Sequence, residues 1–504
     1  MRLSFVASLL VFFAIDASAT TFTVTLLTDP SPDGCLPGDC SLREAIEAAE
    51  ANDPGGPTDV VLVPAGTITL SSSRGSLAVT QPVRVQGAGS DATLIRNAQG
   101  GMLFEANLGA NLALVGLGLE SNFSGSVGAS ISVYTADGSR LTMDDVLVKE
   151  GHVSGNSGNV MEIRHSRLLD MLTDNGGDLL VEDSTMANVA LLTGASETTL
   201  RRVVLDNSLD PEPSPGVYEN VYVIAGLLTI EDSTITHSSI YLPSTAALAL
   251  SRVQYLDNTG PIRTEGAATV TIEDSVFEGN LVRALYAAGD ADWTISGSTF
   301  VDNRVDGNAG GAIVFEDDTF LHISNSTFSG NSFTVAAAAD GARGGAIGYR
   351  NGSGAHLVLT HVTIVPPSAS PVGVVGTAIG GLGGGTIIDF SNTIVRGSCA
   401  MDAGVLLNNA GNIESPGHGC GFDTPENRVD VDPADLALGV LGAHGGFTPT
   451  YLPGEDSVAI DHGSAPQCLP ADQRGWARPG GVRCDVGAVE ADADDTLFVD
   501  GFEG

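Results

Sequence analysis

The chain has 504 residues, 42% of them apolar but only 5% aromatic, with 64 glycines and a formal net charge of −39. The apolar share excludes a disordered chain. With 22 Lys and Arg against 61 Asp and Glu, nucleic acid and anionic lipid are excluded as partners. A surface of this sign also repels polyanionic glycans unless metal ions bridge.

Residues 1–19 read as a secretory signal peptide. Arg2 supplies the positive start, Leu3 to Ile15 the apolar run, and Ala17, Ser18 and Ala19 the small-residue cleavage site, with cutting after Ala19. The run is too short to cross a bilayer, and no later segment holds eighteen uninterrupted apolar residues, so no transmembrane span is expected in the mature chain. The expected location is secreted or cell-surface.

Residues 20–58 read as an N-terminal cap. Ser41 and Glu44 form a capping box that opens a short helix running to Ala51, with Leu42, Ile46 and Ala49 on one face. A solenoid exposes its core at each end, and this helix, just before the first strand-like run at Asp59 to Val63, is a natural plug.

Residues 59–395 read as short strands and tight turns. One phrase returns through them: Val181-Glu-Asp-Ser-Thr, Ile230-Glu-Asp-Ser-Thr, Ile272-Glu-Asp-Ser-Val, Ile295-Ser-Gly-Ser-Thr and Ile323-Ser-Asn-Ser-Thr. With looser copies such as Ile163-Arg-His-Ser included, the closest copies lie roughly 18–23 residues apart, the period of a solenoid rung, and about 20–25 residues per rung predicts about 13–16 stacked rungs. Longer loops such as Asp210 to Pro215 leave the coil at corners. Asn280, Asn303 and Asn331 follow Phe at a fixed distance. They predict left-handed corner positions and asparagine side chains hydrogen-bonded along the rod. Asp144, Asp145, Glu182, Asp183, Glu231, Asp232, Glu273 and Asp274 predict an acidic ladder on the outer surface. Such a ladder reads first as a solvated face, and second as carboxylates for sugar hydrolysis or for calcium. Arg201 and Arg202 are the best basic pair for an anionic sugar, but strand alternation would send them to opposite faces.

Residues 396–490 lose the phrase and gain cysteine, proline and histidine, as a C-terminal cap would; residues 491–504 are an acidic linker and short tail. Asp430, Asp432, Asp492, Asp494 and Asp495 are loop candidates for calcium, the one cofactor considered. Six cysteines in a chain bound for an oxidising space predict disulfides. Sequence proximity suggests Cys35 with Cys40, Cys399 with Cys420 and Cys468 with Cys484, out of fifteen possible pairings. Asp472, Arg474, Trp476 and Arg478 predict an Arg–carboxylate cluster over the indole.

Three stretches resemble known families. Cys40 to Ile46 resembles the CSLREA domain of bacterial exported proteins. Ala459 to Gly463, Asp472 to Pro479 and Cys484 to Glu490 together resemble the choice-of-anchor Q region. The Gly-Gly-Ala-Ile runs at Gly310 and Gly344, with Phe277 to Asn280, Phe300 to Asn303 and Phe328 to Asn331, are similar to the repeats of chlamydial polymorphic outer-membrane proteins. The resemblances imply export, surface display or secretion, and a right-handed parallel β-helix. The expected fold is therefore all-β: one right-handed parallel β-helix with an N-terminal capping helix and a disulfide-containing C-terminal cap.

No Gly-x-Ser-x-Gly elbow, His-Glu-x-x-His pair or phosphate loop is present, and no residue is assigned a catalytic role. The expectation is a non-catalytic rod that adheres to or recognises a surface glycan or protein. A polysaccharide-degrading β-helix enzyme, hydrolase or lyase, is the alternative, and a passive stalk the third reading. An enzyme would show a cleft with two or three non-repeating carboxylates and a basic or aromatic residue; a binding or structural rod would show uniform ladders and no deep groove.

Overall fold

The computed structural model describes residues 19–52, 56–97, 101–121, 133–194, 196–208, 220–306, 310–334, 343–350, 354–367, 377–382, 385–401 and 405–491. The signal peptide up to Ser18, the loop from Asp210 to Pro215, Asp492, Asp494, Asp495 and the tail lie outside the described residues.

The chain folds as a right-handed parallel β-helix, all-β apart from short helical turns at its ends. Each rung lays one strand on each of three faces. The first face runs from Asp59–Leu62 to Val405–Ala410, each strand pairing in parallel with the next. The second runs from Gly66–Thr69 to Ile413–Ser415, and the third from Leu77–Val79 to Cys399–Met401. Alternate side chains point inward, and one apolar cluster extends from Val24 to Phe422.

The recurrent phrase is the corner between the first two faces. Its apolar residue is buried: Val181, Ile230, Ile272, Ile295 and Ile323 are 0% exposed. Its acidic residue ends the strand facing out. The next residue takes a left-handed backbone, φ 49° at Asp183, 49° at Asp232 and 47° at Asp274, which turns the chain. The serine then closes the corner. Ser275 Oγ donates to Glu273 O at 2.7 Å and accepts from Val253 N of the rung before at 3.1 Å; Ser298 repeats both bonds. One position therefore satisfies a carbonyl freed by the turn and an amide left over by the preceding rung.

The asparagines serve the corner after the second face. Asn280 Nδ2 donates to Asn303 Oδ1 at 2.6 Å, and Asn303 Nδ2 to Asn331 Oδ1 at 2.9 Å and to Phe277 O at 2.9 Å. The stacking is as expected, but the left-handed residue is the one before: Gly279, Asp302 and Gly330, φ 66°, 48° and 68°. Beneath them Phe277, Phe300 and Phe328 stack at 4.7 Å between centroids.

Both ends are covered. Helix α1 (Leu42–Ala51) carries the expected capping box, with Ser41 N donating to Glu44 Oε2 at 2.7 Å, and buries Leu42, Ala45, Ile46 and Ala49. At the other end Phe422 meets Phe390 edge-on at 5.0 Å. The following segment folds back along the second face. Gln473 donates to Thr299 Oγ1 at 2.7 Å and accepts from Thr327 Oγ1 at 2.6 Å. Asp472 pairs with Arg474, which lies 3.9 Å over the Trp476 ring, and Arg478 pairs with Glu490 at 2.9 Å, all four charged side chains 0% exposed. Disulfides join Cys35 to Cys40, Cys399 to Cys420 and Cys468 to Cys484.

Asn303→Ala should strip the Asn280 amide of its acceptor and leave buried polar groups unpaired. We expect a local loss of about 2–4 kcal/mol, read as faster hydrogen exchange at the Asn280 amide. Unchanged exchange there would show that the asparagine stack does not stabilise the corner.

Candidate active site

The acidic ladder is corrected by the structure. Its outward column on the first face reads Asp144, Arg164, Glu182, Arg201, Glu231, so that unlike charges face each other across rungs. Arg164 pairs with Glu182 at 3.2 Å and Arg201 with Glu231 at 2.8 Å. The corner residues alternate too: Arg202 pairs with Asp183 at 2.6 Å and Arg252 with Asp232 at 2.5 Å. Hydrogen bonds from Arg202 and Arg164 hold the Glu182 carboxyl below its ordinary range. Strand alternation also fails for Arg201 and Arg202. The left-handed turn at Arg202, φ 51°, keeps both outside, and both reach Glu182. Asp274 has no arginine above it, because Gly297 stands there, and burial pushes its carboxyl up. Along this surface carboxylates and arginines pair from one rung to the next.

The third face differs. Its outward positions in four successive rungs are Tyr222, Tyr241, Arg263 and Tyr286, set directly above one another by the strand register. The sequence cause is local: Val221-Tyr-Val, Ile240-Tyr-Leu, Ile262-Arg-Thr and Leu285-Tyr-Ala each bury the flanking residues and leave the central one outside. Tyr222 meets Tyr241 edge-on at 5.3 Å. The Arg263 guanidinium lies 5.4 Å from the Tyr241 ring centre and 5.3 Å from that of Tyr286. Each tyrosine flanking Arg263 donates its hydroxyl to a glutamate one rung on, Tyr241 to Glu265 and Tyr286 to Glu316. Arg263 also pairs with Glu265. Burial first, then the bond to Glu316, pushes the Tyr286 phenol up to about 12, so it stays protonated at neutral pH.

Two Tyr–Glu pairs thus stand two rungs apart, about 9–10 Å by rung spacing, with a cation between them. Aromatic faces can stack on sugar rings, the phenols can give protons, and the carboxylates can accept them. None of these residues stands out in a search for repeats, because they occupy the one column that the recurrent phrase does not contain. The signal lay in aligning the apolar-x-apolar triplets, whose central residue is tyrosine three times in a chain with 8 tyrosines.

Two other places gather polar groups. A cavity of about 400 Å³ lies at the seam between the last rung and the docked segment, lined by Asn412, Arg428, His462 and Arg483, with no tyrosine, phenylalanine or tryptophan in its wall. His361 sits beside Cys468 and Cys484, the one metal-type grouping found among the described residues. Its nitrogens are already engaged: Nδ1 lies 3.2 Å from Gly487 O, and Asn392 Nδ2 donates to Nε2 at 3.0 Å. Of the calcium candidates, Asp430 is exposed, 3.4 Å from His418, and Asp432 caps the helical turn Pro433–Leu436 by accepting from Ala434 N at 2.9 Å.

With the geometry described, the comparisons can be placed beside it. Residues 187–362 match the family model of the right handed beta helix region. No curated protein matches the chain. Among solved structures the chain is similar to the catalytic unit of an alpha-1,3-glucanase from Streptomyces thermodiastaticus, with 15% identity, 83% of this chain and 71% of that one covered, and a TM-score of 0.36. It is similar to the A-module of a mannuronan C-5 epimerase from Azotobacter vinelandii, with 15% identity, 68% and 94% covered, and a TM-score of 0.35. A mannuronic acid specific polysaccharide lyase from human gut microbiota gives 10% identity, 74% and 86% covered, and a TM-score of 0.33. All three are enzymes named for a carbohydrate, and the expectation of a non-catalytic adhesive rod is corrected accordingly. Likenesses this distant transfer no residue and no reaction. The expectation rested on finding no catalytic constellation in the sequence, and the register of the third face brings together two tyrosines, two glutamates and an arginine that no single stretch of sequence displays.

His361 generates a pH prediction. Burial pushes its imidazole down to about 3, against about 6.5 in an unfolded chain. Between those values the unfolded chain binds a proton that the folded chain refuses. Stability is therefore complete above about pH 6.5 and falls as pH drops toward 3. Asn325 and Asn392 hold the same left-handed corner in the neighbouring rungs, so His361→Asn fits the backbone. Thermal melts between pH 6.5 and 4 should lose less stability in this variant than in the parent; parallel profiles would remove His361 as the cause.

Proposed function

We propose that this chain is a polysaccharide-degrading enzyme of the glycoside hydrolase or lyase type, with its glycan lying along the third face across Tyr241, Arg263 and Tyr286. The observation that carries this reading is the two Tyr–Glu pairs on either side of one arginine, in a column that repeats nowhere else among the described residues. A glycan chain laid along the rod would meet successive rungs, stacking on the rings and hydrogen-bonding to Arg263. Tyr286, protonated and bonded to Glu316, is placed to give a proton to a leaving sugar oxygen and recover it through the glutamate. Tyr241 with Glu265 forms the opposite acid–base pair. A two-rung separation is of the order that inverting glycosidases keep between their carboxylates, roughly 6.5–9.5 Å.

Export completes the reading. Three disulfides support a destination in an oxidising space, secreted or on the cell surface. CSLREA-like and choice-of-anchor Q-like ends would then belong to a secreted or displayed enzyme.

The test is turnover. Purified mature protein is offered neutral and uronic-acid polysaccharides, with new reducing ends reporting hydrolysis and an unsaturated, ultraviolet-absorbing product reporting elimination. Tyr286→Phe and Glu316→Gln should each lower kcat about 100-fold or more while leaving glycan binding in place. Parent-like rates in both variants would remove this face as the active site.

A further inference from the structure

Four arginines are buried among the described residues: Arg43, Arg283, Arg474 and Arg478. Three have a carboxylate. Arg43 pairs with Asp29 at 3.0 Å, Arg474 with Asp472 at 2.9 Å and Arg478 with Glu490 at 2.9 Å. Arg283, 8% exposed, has none: among the described residues it makes no hydrogen bond or ion pair, and its buried Nε is unpartnered. A chain with 61 carboxylates does not leave a buried guanidinium alone for want of partners. The one carboxylate that acts on it electrostatically among the described residues, Glu316, accepts the Tyr286 hydroxyl. The guanidinium lies 5.5 Å from the Tyr286 ring centre, so it borders the proposed active site. Its backbone is also forced, with φ 83° at a bulky non-glycine residue.

An unpaired buried cation is destabilising, and such a group persists where an incoming ligand completes it. A neutral hydroxyl cannot compensate the charge, whereas an anion can, through two parallel hydrogen bonds to the guanidinium edge. We propose that the glycan handled by this face is anionic and that Arg283 receives its carboxylate or sulfate group, with Arg263, whose guanidinium also lies beside the Tyr286 ring, holding the same chain. The proposal rests on the site assignment above and adds the substrate class to it. Burial and the neighbouring Arg350 push the Arg283 guanidinium down to about 10, which still leaves it charged at neutral pH. The net charge of −39 argues against a polyanion only on average; at this spot the protein has concentrated cations.

Binding decides it, measured by calorimetry on the mature full chain. The carboxylate arm uses oligogalacturonate, oligomannuronate and a hyaluronan hexasaccharide; the sulfate arm uses carrageenan oligosaccharides; the neutral arm uses methyl-esterified oligogalacturonate and dextran oligomers. One anionic arm should bind at least about tenfold more tightly than the neutral arm, and which arm does so names the source of the charge. Arg283→Met should lose that preference, Arg283→Lys should keep part of it, and Arg202→Gln, in the exposed charge ladder, should bind as the parent does. Arg283→Met should also melt no lower than the parent, because it removes an unpaired buried charge; a merely structural arginine would show a lower melting temperature. Equal binding of neutral and anionic arms, binding in neither anionic arm, or an Arg283→Met variant that keeps the preference would each overturn the proposal. Anion binding without turnover would sink the enzymatic reading alone, and turnover of a neutral glycan untouched by Arg283→Met would sink this inference alone.

Discussion

Everything in this molecule depends on register between rungs. Each turn of the coil must present a buried apolar residue, a left-handed corner and a side-chain acceptor at the same places as the turn before it, or backbone amides are left unpaired inside the rod. The serine corner and the asparagine stack are two solutions to that one demand. Ser275 bonds within its own corner and to the previous rung at once; Asn303 does the same with a longer reach. Because neighbours constrain each other only pairwise, the rule propagates along the rod without any long-range instruction.

This constraint explains which parts could be read from the sequence. The phrase at Ile230, Ile272 and Ile295 is the imprint of a corner that cannot vary, so the coil was legible. The helix at Leu42–Ala51 was legible because a capping box is local chemistry. The charge pattern misled. Reading Glu182, Glu231 and Glu273 as one acidic column ignored the rungs between them, where Arg201 and Ser251 supply the same outward position. Repeat phrases record what is kept from rung to rung and are silent on what changes.

The site was hidden for the same reason. Outward positions on the third face carry no structural duty, so their residues are free to differ, and free positions leave no repeat. Tyr241, Arg263, Tyr286 and Arg283 come from three successive rungs, and only the register assembles them. Glu265 follows the strand Ile262–Thr264 and Glu316 is the last residue of Ile313–Glu316, outside the apolar-x-apolar triplets that mark the third face. A search for short catalytic motifs cannot find a site whose members are separated by a full coil turn.

A rod of this kind also settles how a site can stay rigid without a deep cleft. In a globular enzyme the reacting groups are held by loops over a scaffold; here every member of the third-face column sits on a strand paired on both sides, with its inward neighbours fully buried. Leu242, Ile262, Leu285 and Ala287 cannot move without breaking the core, so Tyr241, Arg263 and Tyr286 keep their spacing. The rung spacing then acts as a ruler. A glycan laid along the rod meets side chains at intervals of about 4.8 Å, close to the length of one sugar residue, so a linear polymer and a linear scaffold can stay in step over several units. In a structure whose every other buried arginine among the described residues is matched to a carboxylate, Arg283 breaks the pattern, and that break is where ligand chemistry should be sought.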